Sequence, residues 1–107
     1  MQKRMFRKVY RFKDSIYQEE IMKIMRNNKN VILIDVRSEQ EYREGHLNGA
    51  INIPVYEMQY RAEKEIKNKN TIIIAYCTAG LRSRKAINIL RKLGYKNLYN
   101  VEDGIRI

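Results

Sequence analysis

A lone cysteine, Cys77, opens the run Cys77-Thr78-Ala79-Gly80-Leu81-Arg82-Ser83, and covalent chemistry is most readily placed there. Residues 71–76 before it form an apolar run of strand type, and residues 82–93 after it repeat apolar side chains at helical spacing. A cysteine between a buried strand and a helix start faces unpaired backbone N–H groups and the positive end of the helix dipole. Arg82 and Arg84 add full charges. All of these favour thiolate over thiol, and such settings lower a cysteine pKa from about 8.5 to roughly 3.5–7.5. The expected chemistry is nucleophilic, with Cys77 as the attacking atom and Arg82 beside it. The competing expectation is an inert buried cysteine. One cysteine makes no internal disulfide, and with His46 as the sole histidine there is no Cys and His cluster for zinc. No metal or cofactor is expected.

The surroundings of that loop are basic. The formal net charge is +10 over 107 residues, and it is unevenly spread. Residues 1–13 hold six Lys or Arg and no acid, residues 81–101 hold six more and no acid, and the stretch between nearly balances. Such charge serves nucleic acid, an anionic small molecule or an acidic protein, or simply a solvated surface. No nucleic-acid signature accompanies it, so nucleic acid is not expected as a partner. No run approaches the roughly 20 apolar residues of a membrane span, and no secretion signal follows the basic start. A reducing, cytoplasmic setting is the expectation.

The elements that must position Cys77 follow from the pattern of apolar residues. The chain reads as one domain, residues 1–107, with a basic segment 1–14 that includes a possible short strand at residues 9–12. Ser15 with Gln18 three places on matches a capping box, and a helix is expected from there to Asn27-Asn28. Residues 31–36 form a continuous apolar strand of the kind buried on both faces of a parallel sheet. A short helix at 39–43, a turn at Gly45, a strand at 50–53, a stop at Pro54 and a helix at 56–66 follow. Strand 71–76, helix 82–93, Gly94 as C-cap and strand 97–101 complete an α/β alternation, mostly parallel. Ligands of such sheets bind beyond the carboxyl ends of the strands, where Cys77 stands.

Two motifs resemble the rhodanese-like family. The upstream one runs from Asp35-Val36-Arg37-Ser38-Glu39-Gln40-Glu41-Tyr42 through Gly45-His46-Leu47-Asn48-Gly49-Ala50 to Ile53-Pro54; the other is the Cys77 to Ser83 loop with Tyr76. The likeness covers residues 15–104. It implies a five-stranded parallel sheet with helices on both faces, and a reaction in which Cys77 accepts a sulfane sulfur as a persulfide and hands it on. The donor would be a small anion such as thiosulfate, and the acceptor cyanide, a thiol or a protein. A covalent intermediate divides one transfer into two easier steps. The loop amides, from Thr78, Ala79, Gly80 and Leu81 to Ser83, are expected to cradle the persulfide and donor oxygens, with Gly80 allowing a backbone turn closed to other residues. Arg82 is expected to contact the donor's oxyanion. Asp35, Arg37 and Glu41 are read as an ion-pair and capping set at the end of the strand, His46 as structural, and Tyr42 and Tyr76 as packing residues.

Rival readings remain. Cysteine-dependent phosphatases and arsenate reductases have five residues between cysteine and arginine; here there are four, Thr78 to Leu81. A non-enzymatic persulfide carrier or redox sensor would use the same cysteine. The sequence departs from the family at Leu81, apolar where some members carry a polar or basic residue, which leaves the donor open. It departs again at Asp103-Gly104, where a glycine pair is common, and in ending at Ile107 without a closing helix and tryptophan. A less covered side of the fold is expected, either as a monomer whose pocket opens toward a protein partner or as a homodimer.

Overall fold

The computed structural model describes residues 14–106. Within them two five-residue strands, β2 (Val31–Asp35) and β4 (Ile72–Tyr76), pair in register from Val31 opposite Ile72 to Asp35 opposite Tyr76. Their β-branched and aliphatic side chains suit a pleated surface covered on both sides. β5 (Asn97–Val101) joins β4 on its other edge, β1 (Ser15–Ile16) joins β5, and β3 (Ile51–Asn52) joins β2. The order is β1-β5-β4-β2-β3 and every pairing is parallel. This is the five-stranded parallel sheet expected from the sequence.

Four helices connect the strands: α1 (Gln18–Asn27), α2 (Glu39–Glu44), α3 (Met58–Glu65) and α4 (Leu81–Lys92), with a 3-10 turn at Val55–Glu57 leading into α3. Alternation along β4 distributes its side chains between two cores. Ile73, Ala75 and Cys77 pack with Met58, Ala62, Ala86, Ile87 and Leu90 of α3 and α4. Ile74 and Tyr76 face the other way, onto Ile21 of α1, with Tyr42 of α2 packed at that cluster's edge. Cys77 therefore continues the face that α4 covers, one step past the strand's last residue.

Several boundaries moved. Ser15 lies in β1 rather than at the first helix's cap, and α1 begins at Gln18, where the Glu20 carboxylate accepts the Tyr17 N–H at 2.7 Å. Ser15 instead bonds the side chains of Glu102 and Arg84. The helix expected at 56–66 opens as a 3-10 turn, because Glu57 N–H returns to the Pro54 carbonyl at 2.8 Å, three residues back. The possible strand at residues 9–12 lies outside the described residues. Among the described residues, no helix is long and apolar enough to cross a membrane.

Candidate active site

The loop from Cys77 to α4 is bent so that its backbone donors close on the sulfur. Gly80 takes φ +90°, a left-handed conformation that side-chain-bearing residues rarely adopt. A Cβ there would stand 2.0 Å from the Glu102 carbonyl oxygen, so both the turn and the close approach of residues 101–102 require glycine. On the loop's other side Gly104 lies against Thr78, where an added Cβ would meet the Thr78 carbonyl oxygen at 1.9 Å. The Ile105 N–H donates to the Cys77 carbonyl at 3.0 Å. Residues 101–105 thus brace the loop from behind, a role that the Asp103-Gly104 sequence gave no reason to assign.

Within this frame the Cys77 sulfur accepts the Gly80 N–H at 3.1 Å and the Ser83 N–H at 3.4 Å, and the Ser83 hydroxyl lies 3.4 Å from it. Cys77 is 1% exposed, so its sulfur sits at the base of the loop and not on an open surface. Burial pushes its pKa up, but hydrogen bonds from the Ser83 hydroxyl and from the Ser83, Ala79 and Gly80 amides outweigh burial and hold the thiol below its ordinary value. The Ser83 hydroxyl also lies 3.2 Å from the Gly80 carbonyl oxygen. It has one proton to give. The Gly80 carbonyl also accepts the Arg84 N–H at 3.1 Å and lies 3.5 Å from the Asn100 side-chain amide, so it stays bonded when the Ser83 proton is given to the sulfur.

The arginines near the loop are held elsewhere. Arg82 donates through both terminal nitrogens to the Glu41 carboxylate, at 2.6 and 3.1 Å. That ion pair lowers the Glu41 pKa to about 2, against partial burial and with help from Ser38. Glu41 also closes a capping box on α2, accepting the Ser38 N–H at 3.1 Å while the Ser38 hydroxyl accepts the Glu41 N–H at 3.2 Å. Arg37 binds Asp35 through Nε and a terminal nitrogen and reaches the Gly45 carbonyl at 2.6 Å. Arg84 bonds Asp14 at 2.7 Å and Glu102 at 2.9 Å. The lowered Cys77 pKa rests on hydrogen bonds, whereas the sequence pointed as much to the charges of Arg82 and Arg84.

Of the residues singled out in the sequence, Cys77, Gly80 and Ser83 converge on the sulfur, and Thr78, Ala79 and Leu81 line the exposed outer side of the loop. The Ser83 hydroxyl and amide both lie 3.4 Å from the Cys77 sulfur. Asp35 and Arg37 pair as expected, and Glu41 combines its capping role with the link to Arg82. His46 stacks on Tyr42 with ring centres 3.7 Å apart, and its Nδ1 lies 2.8 Å from the Tyr42 carbonyl. The Tyr76 hydroxyl accepts the Leu47 N–H at 3.0 Å, and the Tyr42 hydroxyl donates to the Ala50 carbonyl at 2.6 Å, so both phenols tie down the segment after α2.

The family model for the rhodanese-like domain matches residues 18–106. The chain belongs to the rhodanese-like domain family. It is 41% identical over 85 residues to a tRNA uridine(34) hydroxylase of Buchnera aphidicola, covering 76% of this chain and 27% of that protein. The chain thus spans about a quarter of the length of those relatives. It is 40% identical over 67 residues to the thiosulfate sulfurtransferase PspE of Escherichia coli, covering 63% of this chain and 64% of that protein. A solved rhodanese from E. coli, described with anions, superposes with a TM-score of 0.64 at 38% identity, over 67% of this chain and 85% of that one.

Proposed function

We propose that this protein is a sulfurtransferase in which Cys77 carries the sulfur. The observation that supports this most is the convergence of the Gly80 and Ser83 amides and the Ser83 hydroxyl on the Cys77 sulfur, within 3.1–3.4 Å. Donors placed there stabilise a negative sulfur before the reaction and a persulfide after it. With thiosulfate, the Cys77 thiolate attacks the outer sulfur, the new S–S bond forms, the bond to the sulfonate breaks and sulfite leaves with the electron pair. An acceptor thiolate or cyanide then attacks the outer sulfur of the Cys77 persulfide and releases the thiolate. Neither step needs a general base once the attacking atom is an anion, and the hydrogen bonds on the Cys77 sulfur favour that form. Intact-mass measurement after incubation with a sulfane-sulfur donor tests the reading. One sulfur atom gained by the wild type and none by Cys77→Ser is the expected result; no gain with any donor overturns it.

The 41% identity to tRNA uridine(34) hydroxylase favours a second reading, in which the chain contributes its cysteine loop to an activity on tRNA uridine. Nucleoside analysis of tRNA incubated with the wild type and with Cys77→Ser distinguishes the two: hydroxylated uridine dependent on Cys77 would favour this second reading.

A further inference from the structure

Arg84 stands in the first turn of α4, and its guanidinium reaches three acceptors on two other segments. One terminal nitrogen donates to the Asp14 carboxylate at 2.7 Å; the other donates to the Ser15 hydroxyl at 2.8 Å and to the Glu102 carboxylate at 2.9 Å. Asp14 and Ser15 lie at the start of β1, and Glu102 directly follows β5. A planar group with several fixed donors can span such a set, whereas a single ammonium cannot. The backbone of the same residue acts on the loop. The Arg84 N–H donates to the Gly80 carbonyl at 3.1 Å, the first hydrogen bond of α4. On the far side, the Glu102 carbonyl oxygen lies 2.0 Å from where a Gly80 Cβ would be, so residue 102 is seated directly against that glycine. Gly80 is therefore held between the Arg84 N–H and the backbone of the residue that the Arg84 side chain grips. Its own N–H donates to the Cys77 sulfur at 3.1 Å.

We propose that Arg84 is a positioning residue for sulfur transfer, which sets the Gly80 and Ser83 donors on the Cys77 sulfur by fixing residue 102 behind Gly80. The kinetic consequence rests on the sulfurtransferase reading above; the placement of the donors can be read without any sulfur donor. Arg84 acts here through geometry and not through its charge, since hydrogen bonds from residues 79, 80 and 83 are what hold the Cys77 thiol below its ordinary value. Hydrogen bonds weaken steeply as their angles open, so a loop released from behind loses its grip on the sulfur. A misplacement of about 1 Å in a reacting site can slow the reaction about a hundredfold. Arg91 supplies the control. It carries the same charge in the last turn of α4 and shares the Asp14 carboxylate, at 2.5 Å, but its other bond goes to Asn88 and not to residue 102.

The experiment compares wild type, Arg84→Gln, Arg84→Lys, Glu102→Gln, Arg91→Gln and the double variant Arg84→Gln with Glu102→Gln. Each is followed by the pH profile of Cys77 alkylation, by thermal melting and by sulfur uptake from thiosulfate at pH 7, read as intact mass. Arg84→Gln, Arg84→Lys and Glu102→Gln should each move the alkylation midpoint up toward that of a free thiol measured alongside, and slow sulfur uptake about tenfold. The double variant should go no further than the larger single one, because both changes sever the same link. Arg91→Gln should keep the wild-type midpoint. A wild-type midpoint in Arg84→Gln and Glu102→Gln, whatever their loss of melting temperature, overturns the proposal and leaves Arg84 a brace of the fold. Full recovery in Arg84→Lys, or an equal shift in Arg91→Gln, overturns it in favour of charge alone. Where the Arg84 variants do not fold, Glu102→Gln, which keeps the arginine and the shape of its partner, decides by the same midpoint. The expected alkylation profiles with no sulfur uptake by wild type would overturn the sulfurtransferase reading and leave the placement of the donors by Arg84 standing.

Discussion

Arg82 and Glu41, 41 residues apart in the chain, are joined by two hydrogen bonds between guanidinium and carboxylate, which tie the first turn of α4 to α2 across the ends of β2 and β4. This pair makes acid stability a readout of the site. The Glu41 pKa is depressed to about 2 from an ordinary 4.5, so its contribution is complete above about pH 4.5 and is lost as pH falls through about 2. Both side chains are more than a third exposed, so solvent screening keeps that contribution to about 1 kcal/mol or less. Thermal melts of wild type and Glu41→Gln should differ by no more than about 5 °C at pH 7. The gap should close between pH 4.5 and 2; a constant gap would trace it to the lost cap on α2 instead of the ion pair.

The hydrogen bonds on the Cys77 sulfur predict an alkylation profile. Its rate with a neutral haloacetamide should rise with a midpoint below that of a free thiol measured alongside it. Ser83→Ala removes the hydroxyl but keeps the Ser83 amide, and should move the midpoint up, because the thiolate loses the side-chain hydrogen bond that most favours it. An unchanged midpoint in Ser83→Ala would leave the amides as the whole cause.

Two glycines with similar backbone angles should respond differently to a methyl group. Gly49 has φ +87° and open space where a Cβ would go, so Gly49→Ala should cost about 1 kcal/mol from strain alone. Gly80 has φ +90° and a carbonyl oxygen 2.0 Å from the same point, so Gly80→Ala should cost about 3 kcal/mol or more and displace residues 101–105 from the loop. Denaturant melts compare the two directly. Equal losses would mean that residues 101–102 yield freely.

Much of this arrangement was readable before folding, for reasons that differ by element. The runs at 31–36 and 71–76 are buried on both faces, so their composition alone marks them as central strands, and Cys77 at the end of one is then placed by alternation. The sharp loop is legible because Gly80 is needed for a positive φ. The start of α1 was misplaced because Ser15 and Gln18 satisfy a local capping pattern, while the pairing of Ser15 and Ile16 with Asn100 and Val101 is settled some 85 residues away. The same distance effect hid the partner of Arg82. Glu41 looked locally bound to its own capping box, and nothing within a few residues of either side chain signals a bridge that only the parallel order of β2 and β4 creates. Spacing places Ser83 near the loop, but it does not say that its hydroxyl and its amide both turn to the Cys77 sulfur.

Freeing Arg82 should convert the loop into a better thiosulfate site. Glu41→Gln keeps the shape of the side chain and much of its capping geometry but removes the charge, leaving the Arg82 guanidinium without its ion-pair partner beside a sulfur whose charge it already senses. An unpaired cation at that position stabilises an approaching dianion in a partly screened medium by about 1 kcal/mol, or roughly fivefold in kcat/KM. The gain should be largest at low salt and shrink toward 0.15 M as the field is shortened to about 8 Å. Arg82→Ala placed on top of Glu41→Gln should erase the gain, whereas Lys92→Ala, at the far end of α4, should leave it in place. A gain that survives loss of Arg82 would assign the effect to removal of the Glu41 charge itself, with the guanidinium serving only to brace α2 against α4.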